Sequence, residues 1–190
     1  GVNLVSIRVL NDQGAGSFEE ITTGVLAGVD KVREIKKQNP KAKFVWNFSL
    51  GGMGLSQPLE AALNLAFKEG VIVIAAAGNS GVNLDVVLFT PARVPGVHAI
   101  GSSDQSDNRS SFSNFGRNTV FNFAPGSGIL STVPKAKVSG QMMHSSGYMT
   151  VSGTSMAAPF VAGTMALSLS QNDLPAERAK LMIEYANDPI

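Results

Sequence analysis

Two kinds of apolar pattern alternate along this chain. In residues 4–10 (LVSIRVL), 44–50 (FVWNFSL) and 71–77 (VIVIAAA), branched, aromatic or small apolar residues crowd together and then give way to a glycine-bearing turn cluster. Runs of this length and ending predict strands, and residues 97–101 and 120–123 predict two shorter ones. Between them, apolar residues recur at helical spacing. From Ser17, an N-cap followed by Glu19 and Glu20, a helix is predicted to about Gln38, with Ile21, Val25, Val29, Val32 and Ile35 as its stripe and Asn39-Pro40 as its stop. Residues 58–69 predict a second helix with Leu59, Ala62, Leu63 and Ala66 on one face and Gly70 as terminator. A third is predicted after Ser155, with Phe160, Val161, Ala162, Met165, Ala166, Leu167 and Leu169, and a last one over residues 175–186.

Strands alternating with helices, some of the strands apolar without interruption, predict an α/β layered domain: a mostly parallel sheet with helices on both faces. Ligand sites in such sheets lie in the loops beyond the carboxyl ends of the strands. Three of those loops are glycine-rich, at residues 14–16, 51–54 and 78–81. The polar, serine-rich stretch 102–116 reads as a surface loop.

Composition narrows the function classes. The 190 residues and 44% hydrophobic content suit one domain with a sizeable core. A net charge of +1, with no long run of like charge, gives a nucleic-acid partner or a membrane surface no electrostatic support. The longest apolar runs fall well short of a membrane span. The absence of cysteine removes disulfides, thiolate metal sites and a cysteine nucleophile. The abrupt opening at Gly1-Val2-Asn3 and the ending at Asp188-Pro189-Ile190 predict a piece of a longer domain, truncated at both ends.

The chemistry concentrates in Gly153-Thr154-Ser155-Met156-Ala157-Ala158-Pro159. Ser155 falls at a helix N-terminus, where unpaired N–H groups and the helix dipole favour negative charge. A plain N-cap is the ordinary reading of such a serine. Pro159, which opposes the first intrahelical bonds, and the small residues around it, which admit another backbone or a ligand, strain that reading. Asn79, in Gly78-Asn79-Ser80-Gly81, is either a turn asparagine or a side-chain amide donor at a strand end. Beside a helix-start serine it would form an oxyanion hole together with the Ser155 backbone N–H. Nucleotide binding is rejected, because Glu19 and Gln57 stand where a third glycine is needed and no Gly-Lys-Ser/Thr ending occurs.

Ala75-Ala76-Ala77-Gly78-Asn79 and the run from Gly153 to Gly163 resemble the oxyanion and nucleophile signatures of subtilisin-like serine proteases. Asn47-Phe48-Ser49-Leu50-Gly51-Gly52, Ser110 to Gly116 and Phe123-Ala124-Pro125-Gly126 fall in the same order. Thr90-Pro91-Ala92-Arg93-Val94-Pro95 leans toward proteinase-K-like members. The resemblance implies a C-terminal portion of a single subtilisin-like peptidase domain over residues 1–190. It implies Ser155 as nucleophile and Asn79 as oxyanion donor. Ser49, Leu50 and Gly51 would pair with one side of an extended substrate, Gly14, Ala15 and Gly16 with the other, and Ala76, Ala77 and Gly78 would wall the primary specificity pocket. Polypeptide substrates, secretion, no metal in the site and no catalytic cofactor are implied as well. The resemblance allows a structural calcium in the complete domain, but Phe121 stands where proteinase-K-like members place a calcium-binding aspartate, which puts that ion site in doubt. Phe89 lies near the pocket floor and would make it shallower.

The family's triad runs Asp, His, Ser in chain order, and both the Asp and the His signatures precede the segment matching residues 4–10. The two histidines here fit neither: His98 reads as a packed strand residue and His144 as a loop residue with no family role. The Asp and His are therefore expected on preceding sequence or on a separate cleaved chain, and this segment alone is expected to be inactive. The alternative is a catalytically inactive homologue whose groove binds peptides by strand addition or regulates a partner.

Overall fold

A computed structural model describes residues 1–135 and 143–171. The elements in chain order are α1 (Phe18–Gln38), β1 (Phe44–Phe48), β2 (Gly52–Met53), α2 (Gln57–Lys68), β3 (Val71–Ala76), β4 (Phe89–Thr90), β5 (Val97–Ser103), β6 (Val120–Pro125), β7 (Ile129–Thr132), β8 (Tyr148–Val151) and α3 (Thr154–Gln171). The helix predicted over 175–186 lies outside the described residues.

The main sheet is parallel, in the order β1-β3-β5-β6. β3 shows why its sequence is apolar without alternation. Val71, Val73 and Ala75 face a core built with α1 and α2, through Val25, Val29, Leu59 and Leu63. Ile72, Ile74 and Ala76 face a second core under α3, through Ala157, Ala158, Val161 and Met165. Side chains point alternately to opposite faces, so a strand covered on both sides needs apolar residues at every position. The layered α/β arrangement with helices on both faces is thus observed.

Local chemistry sets the helix starts. Ser17 and Glu20 form a capping box, with Glu20 N–H donating to Ser17 Oγ at 3.2 Å and Ser17 N–H to Glu20 Oε2 at 2.7 Å. Ser56 caps α2 through Leu59 N–H, and Pro58 sits in its first turn, where a missing N–H costs nothing.

Two expectations are corrected. Residues 4–10 form no strand: Leu4 and Val5 are exposed, and Ile7 and Val9 instead lie along α1 at Gly24 and Gly28. A strand exists only as one side of a hydrogen-bonded ladder, and none of the described strands runs beside this segment. Nor is 102–116 a surface loop throughout. Ser102 and Ser103 end β5, and Ser110, Ser113 and Asn114 are buried. Their hydroxyls and amide satisfy one another and the nearby backbone, which lets a polar sequence occupy the interior. The short pairs β2–β4 and β7–β8, both antiparallel, carry no pattern long enough to predict.

Candidate active site

Ser155 occupies the first turn of α3, where no intrahelical carbonyl reaches its N–H. The preceding Thr154 is fully buried and makes the connection to the end of β3. Thr154 N–H and Oγ1 both donate to Asn79 Oδ1, at 2.8 and 2.9 Å, and Thr154 Oγ1 accepts from Gly78 N–H at 3.0 Å. With its oxygen doubly engaged, the Asn79 amide turns its Nδ2 donor toward Gly153. A Cβ built on Gly153 would stand 3.4 Å from that nitrogen.

A second link joins Ser155 to the end of β1. Ser155 Oγ donates to the Ser49 carbonyl at 3.2 Å, while Ser49 Oγ donates to the Ser155 carbonyl at 2.7 Å. Asn47 Nδ2 in turn donates to Ser49 Oγ at 3.0 Å. The ends of β1 and β3 and the start of α3 therefore converge on Ser155, at the carboxyl edge of the sheet.

The glycines around this point are close approaches. A Cβ on Gly51 would lie 2.6 Å from Phe89 Cε1, and one on Gly78 2.8 Å from Phe89 Cζ. The Phe89 ring thus fills the gap between the loops after β1 and β3. Gly78 also has φ +100°, a conformation that glycine adopts without strain. The side chains of Ala76 and Ala77 point into cores, the first under α3 and the second beside Phe89 and Leu84. Leu50 packs against the α1–α2 core.

Across from Gly51, Gly14 (φ +73°) and Ala15 sit in an exposed turn organised by Asn11, whose Oδ1 accepts from Gln13 and Ala15 N–H. Gly16 reaches the cleft. It lines one wall with Phe18 and Ile21 while Gly51, Gly52 and Met53 line the other. The structure thus brings Ser155, Asn79, Ser49, Gly51 and Gly78 together, places Gly16 in the cleft beside Gly51, and leaves Gly14 and Ala15 in the exposed Asn11 turn.

Neither histidine bonds to Ser155. His144 is exposed, and its Nδ1 lies 2.7 Å from Ser146 Oγ. His98, in β5, meets Phe121 edge-on with ring centroids 4.4 Å apart. Among the described residues no three His, Asp or Glu side chains gather to hold an ion. Phe121 offers no oxygen ligand, so its position does not fit the calcium site implied by the resemblance.

Three residues that hold the site were not singled out from sequence: Thr154, Asn47 and Asn114. Thr154 carried a signal, standing between a glycine and the candidate nucleophile. Asn47 and Asn114 lay inside two of the stretches that resemble the family, but nothing in the sequence assigned either a role of its own.

A family model described as Peptidase S8, the subtilase family, matches residues 1–186. Alkaline serine exoprotease A of Vibrio alginolyticus is 43% identical over 188 residues, which cover 98% of this chain and 31% of that protein. The extracellular serine proteinase of Thermus sp. (strain Rt41A) is 39% identical, over 98% of this chain and 41% of its own length. A crystal structure of a cold adapted subtilisin-like serine proteinase superposes with a TM-score of 0.72 at 41% identity, covering 94% of this chain and 57% of that one. The chain spans less than half the length of these curated relatives. A family match over almost every residue and a sheet that superposes on a subtilisin-like proteinase agree: the chain belongs to the subtilase family of serine peptidases.

Proposed function

We propose that this chain carries the nucleophile and oxyanion hole of a secreted serine endopeptidase, with the triad Asp and His supplied by sequence outside it. The observation that carries this reading is the pair of hydrogen bonds that Thr154 N–H and Oγ1 donate to Asn79 Oδ1, which leaves Nδ2 as a fixed donor beside Gly153 and the N–H of Ser155. The external base removes the Ser155 hydroxyl proton, now shared with the Ser49 carbonyl, and Oγ attacks the peptide carbonyl carbon. The resulting oxyanion accepts from Asn79 Nδ2 and Ser155 N–H. Collapse expels the amine with the proton held by the base, and water then releases the acyl group by the same steps.

Gly16, Gly51 and Gly52 leave main chain open along the cleft, as strand addition by a peptide requires. Ser49, Leu50 and Gly51 offer one edge, and Gly14, Ala15 and Gly16 the other. Ala76, Ala77 and Gly78 contribute main chain to the pocket wall, since the two alanine side chains point inward. Phe89 closes the space between Gly51 and Gly78, so the residue before the scissile bond is expected to be small.

Active-site labelling of the complete protein with a fluorophosphonate tests the reading. Modification at Ser155, lost in Ser155→Ala, is the expected result. Folded protein that takes up no label would instead favour the inactive, peptide-binding homologue.

A further inference from the structure

Resting on that reading, we infer that Asn114 is a positioning residue for catalysis, because its buried amide sets the main-chain path of the loop that presents Asn79. Asn114 belongs to the stretch 102–116, far from Ser155 in sequence, and is fully buried. Its side chain reaches across the base of the loop and bonds to both arms. On the arm before Asn79, Nδ2 donates to the Ala77 carbonyl at 2.8 Å. On the arm after it, Oδ1 accepts from Ser80 N–H at 3.0 Å and from Val82 N–H at 3.1 Å. Asn114 N–H adds a bond to the Gly78 carbonyl at 2.9 Å.

These partners bracket Asn79 on both sides, and none is Asn79 itself. Thr154 fixes the rotation of the Asn79 amide, whereas Asn114 fixes the backbone from which it projects. Beyond β3 the loop has left the regular ladder of the sheet, so its main-chain groups take partners outside it, and the Asn114 side chain supplies those of the Ala77 carbonyl and of the Ser80 and Val82 N–H groups. An amide is the group that can serve here, since it both donates and accepts. Gly78 accommodates it: a Cβ there would come within 2.5 Å of Asn114 Nδ2. Aspartate at 114 would keep the acceptor but lose the donor to Ala77, and alanine would lose both.

An oxyanion donor must meet charge that develops only in the transition state, so a small displacement lowers turnover more than ground-state binding. The test is a double-mutant cycle in the complete protein, using peptide hydrolysis. Asn114→Ala is expected to lower kcat at least about tenfold with KM within about threefold. In an Asn79→Ala background the same substitution is expected to cost less than about threefold, because the donor it positions is already gone. Equal losses in both backgrounds would overturn the inference, as would a raised KM with unchanged kcat.

Should Asn114→Ala fail to fold, Asn114→Asp carries the same cycle with the same two outcomes. Hydrogen exchange supplies a readout independent of turnover. Ser80 and Val82 amides should exchange at least about tenfold faster in Asn114→Ala while amides within β5 keep their rates. Unchanged exchange at Ser80 and Val82 would overturn the inference. A complete wild-type protein that neither hydrolyses peptide nor takes the fluorophosphonate would instead sink the proteolytic reading. The exchange rates would then decide alone whether Asn114 sets this loop.

Discussion

Ser49 and Ser155, 106 positions apart, hold each other by two reciprocal hydrogen bonds, each hydroxyl donating to the other residue's carbonyl. Pro159 explains one of the two. In an α-helix the carbonyl of residue 155 accepts from the N–H of residue 159, and proline has none. The Ser155 carbonyl is left without that donor, and the Ser49 hydroxyl supplies one. The proline that strained a plain helix-start reading of Ser155 thus lets the loop after β1 be tied to the nucleophile.

Ser49→Ala should therefore cost about 1 kcal/mol, the net worth of one hydrogen bond to a partly buried carbonyl. In a Pro159→Ala background the loss should fall below half of that, because the N–H restored at position 159 can take over the Ser155 carbonyl. Urea melts of the four proteins check this. A full Ser49→Ala loss in the Pro159→Ala background would mean that the two residues do not share the carbonyl.

Phe89 makes a prediction about specificity. Its ring lies between Gly51 and Gly78 and is 8% exposed. Shortening it should open the pocket, so Phe89→Leu should raise kcat/KM for substrates with a large residue before the scissile bond, relative to alanine there. One methylene more or less in an apolar pocket discriminates by about 10–200-fold, and the shift should be of at least that order. Phe89→Ala should shift further but cost about 3–5 kcal/mol of stability, since it also empties space beside Ala77 and Leu84. Parallel assays on a peptide series varied at that one position measure the ratio.

Much of this fold was legible because its rules are local. The uninterrupted apolar run of β3 announced a strand covered on both faces, and Ser17 with Glu20 announced the start of α1. Asn79 and Ser155 were legible as a pair because their surroundings resemble the oxyanion and nucleophile signatures of subtilisin-like proteases, without any distance between them. Residues 4–10 misled because strand propensity says nothing about whether a ladder partner lies alongside. Stretch 102–116 misled because burial of serine and asparagine depends on which groups they meet: the serines pair with one another inside the stretch, and the Asn114 partners Ala77, Ser80 and Val82 lie more than thirty positions away.

Stability should fall in acid through Asp85. Its carboxylate accepts from the Thr119 hydroxyl at 2.8 Å and from Asn118 N–H, tying the loop before β4 to the turn before β6. The Thr119 bond first, and then main-chain N–H groups of Asn118, Arg117 and Thr119, hold its pKa below the ordinary 3.8. A depressed carboxyl pKa gives stability that is present above 3.8 and is lost as pH falls through the lower folded value. Glu69, held below 4.5 by Arg33 and then Lys36 where α1 meets the end of α2, acts with the same sign. Asp85→Asn should be less stable than the parent at pH 7, and the gap should narrow as pH drops below 3.8. Denaturant melts at neutral pH and near pH 3 compare them; a gap that stays constant would show that the clasp does not depend on charge.

The last prediction concerns the general base. Ser155 Oγ donates to a carbonyl, which cannot take its proton, and the His144 ring is engaged by Ser146 on the exposed surface. A serine hydroxyl without a base is a poor nucleophile at neutral pH. The 190-residue chain alone should therefore leave a peptide substrate intact and take up no fluorophosphonate. In the complete protein, His144→Ala should keep kcat within about twofold of the parent, since a general base must lie within hydrogen-bond reach of the proton it removes. A drop of about a hundredfold or more in that variant would identify His144 as the base, because general-base catalysis contributes roughly 10²–10⁴. The triad would then have to be drawn within this chain.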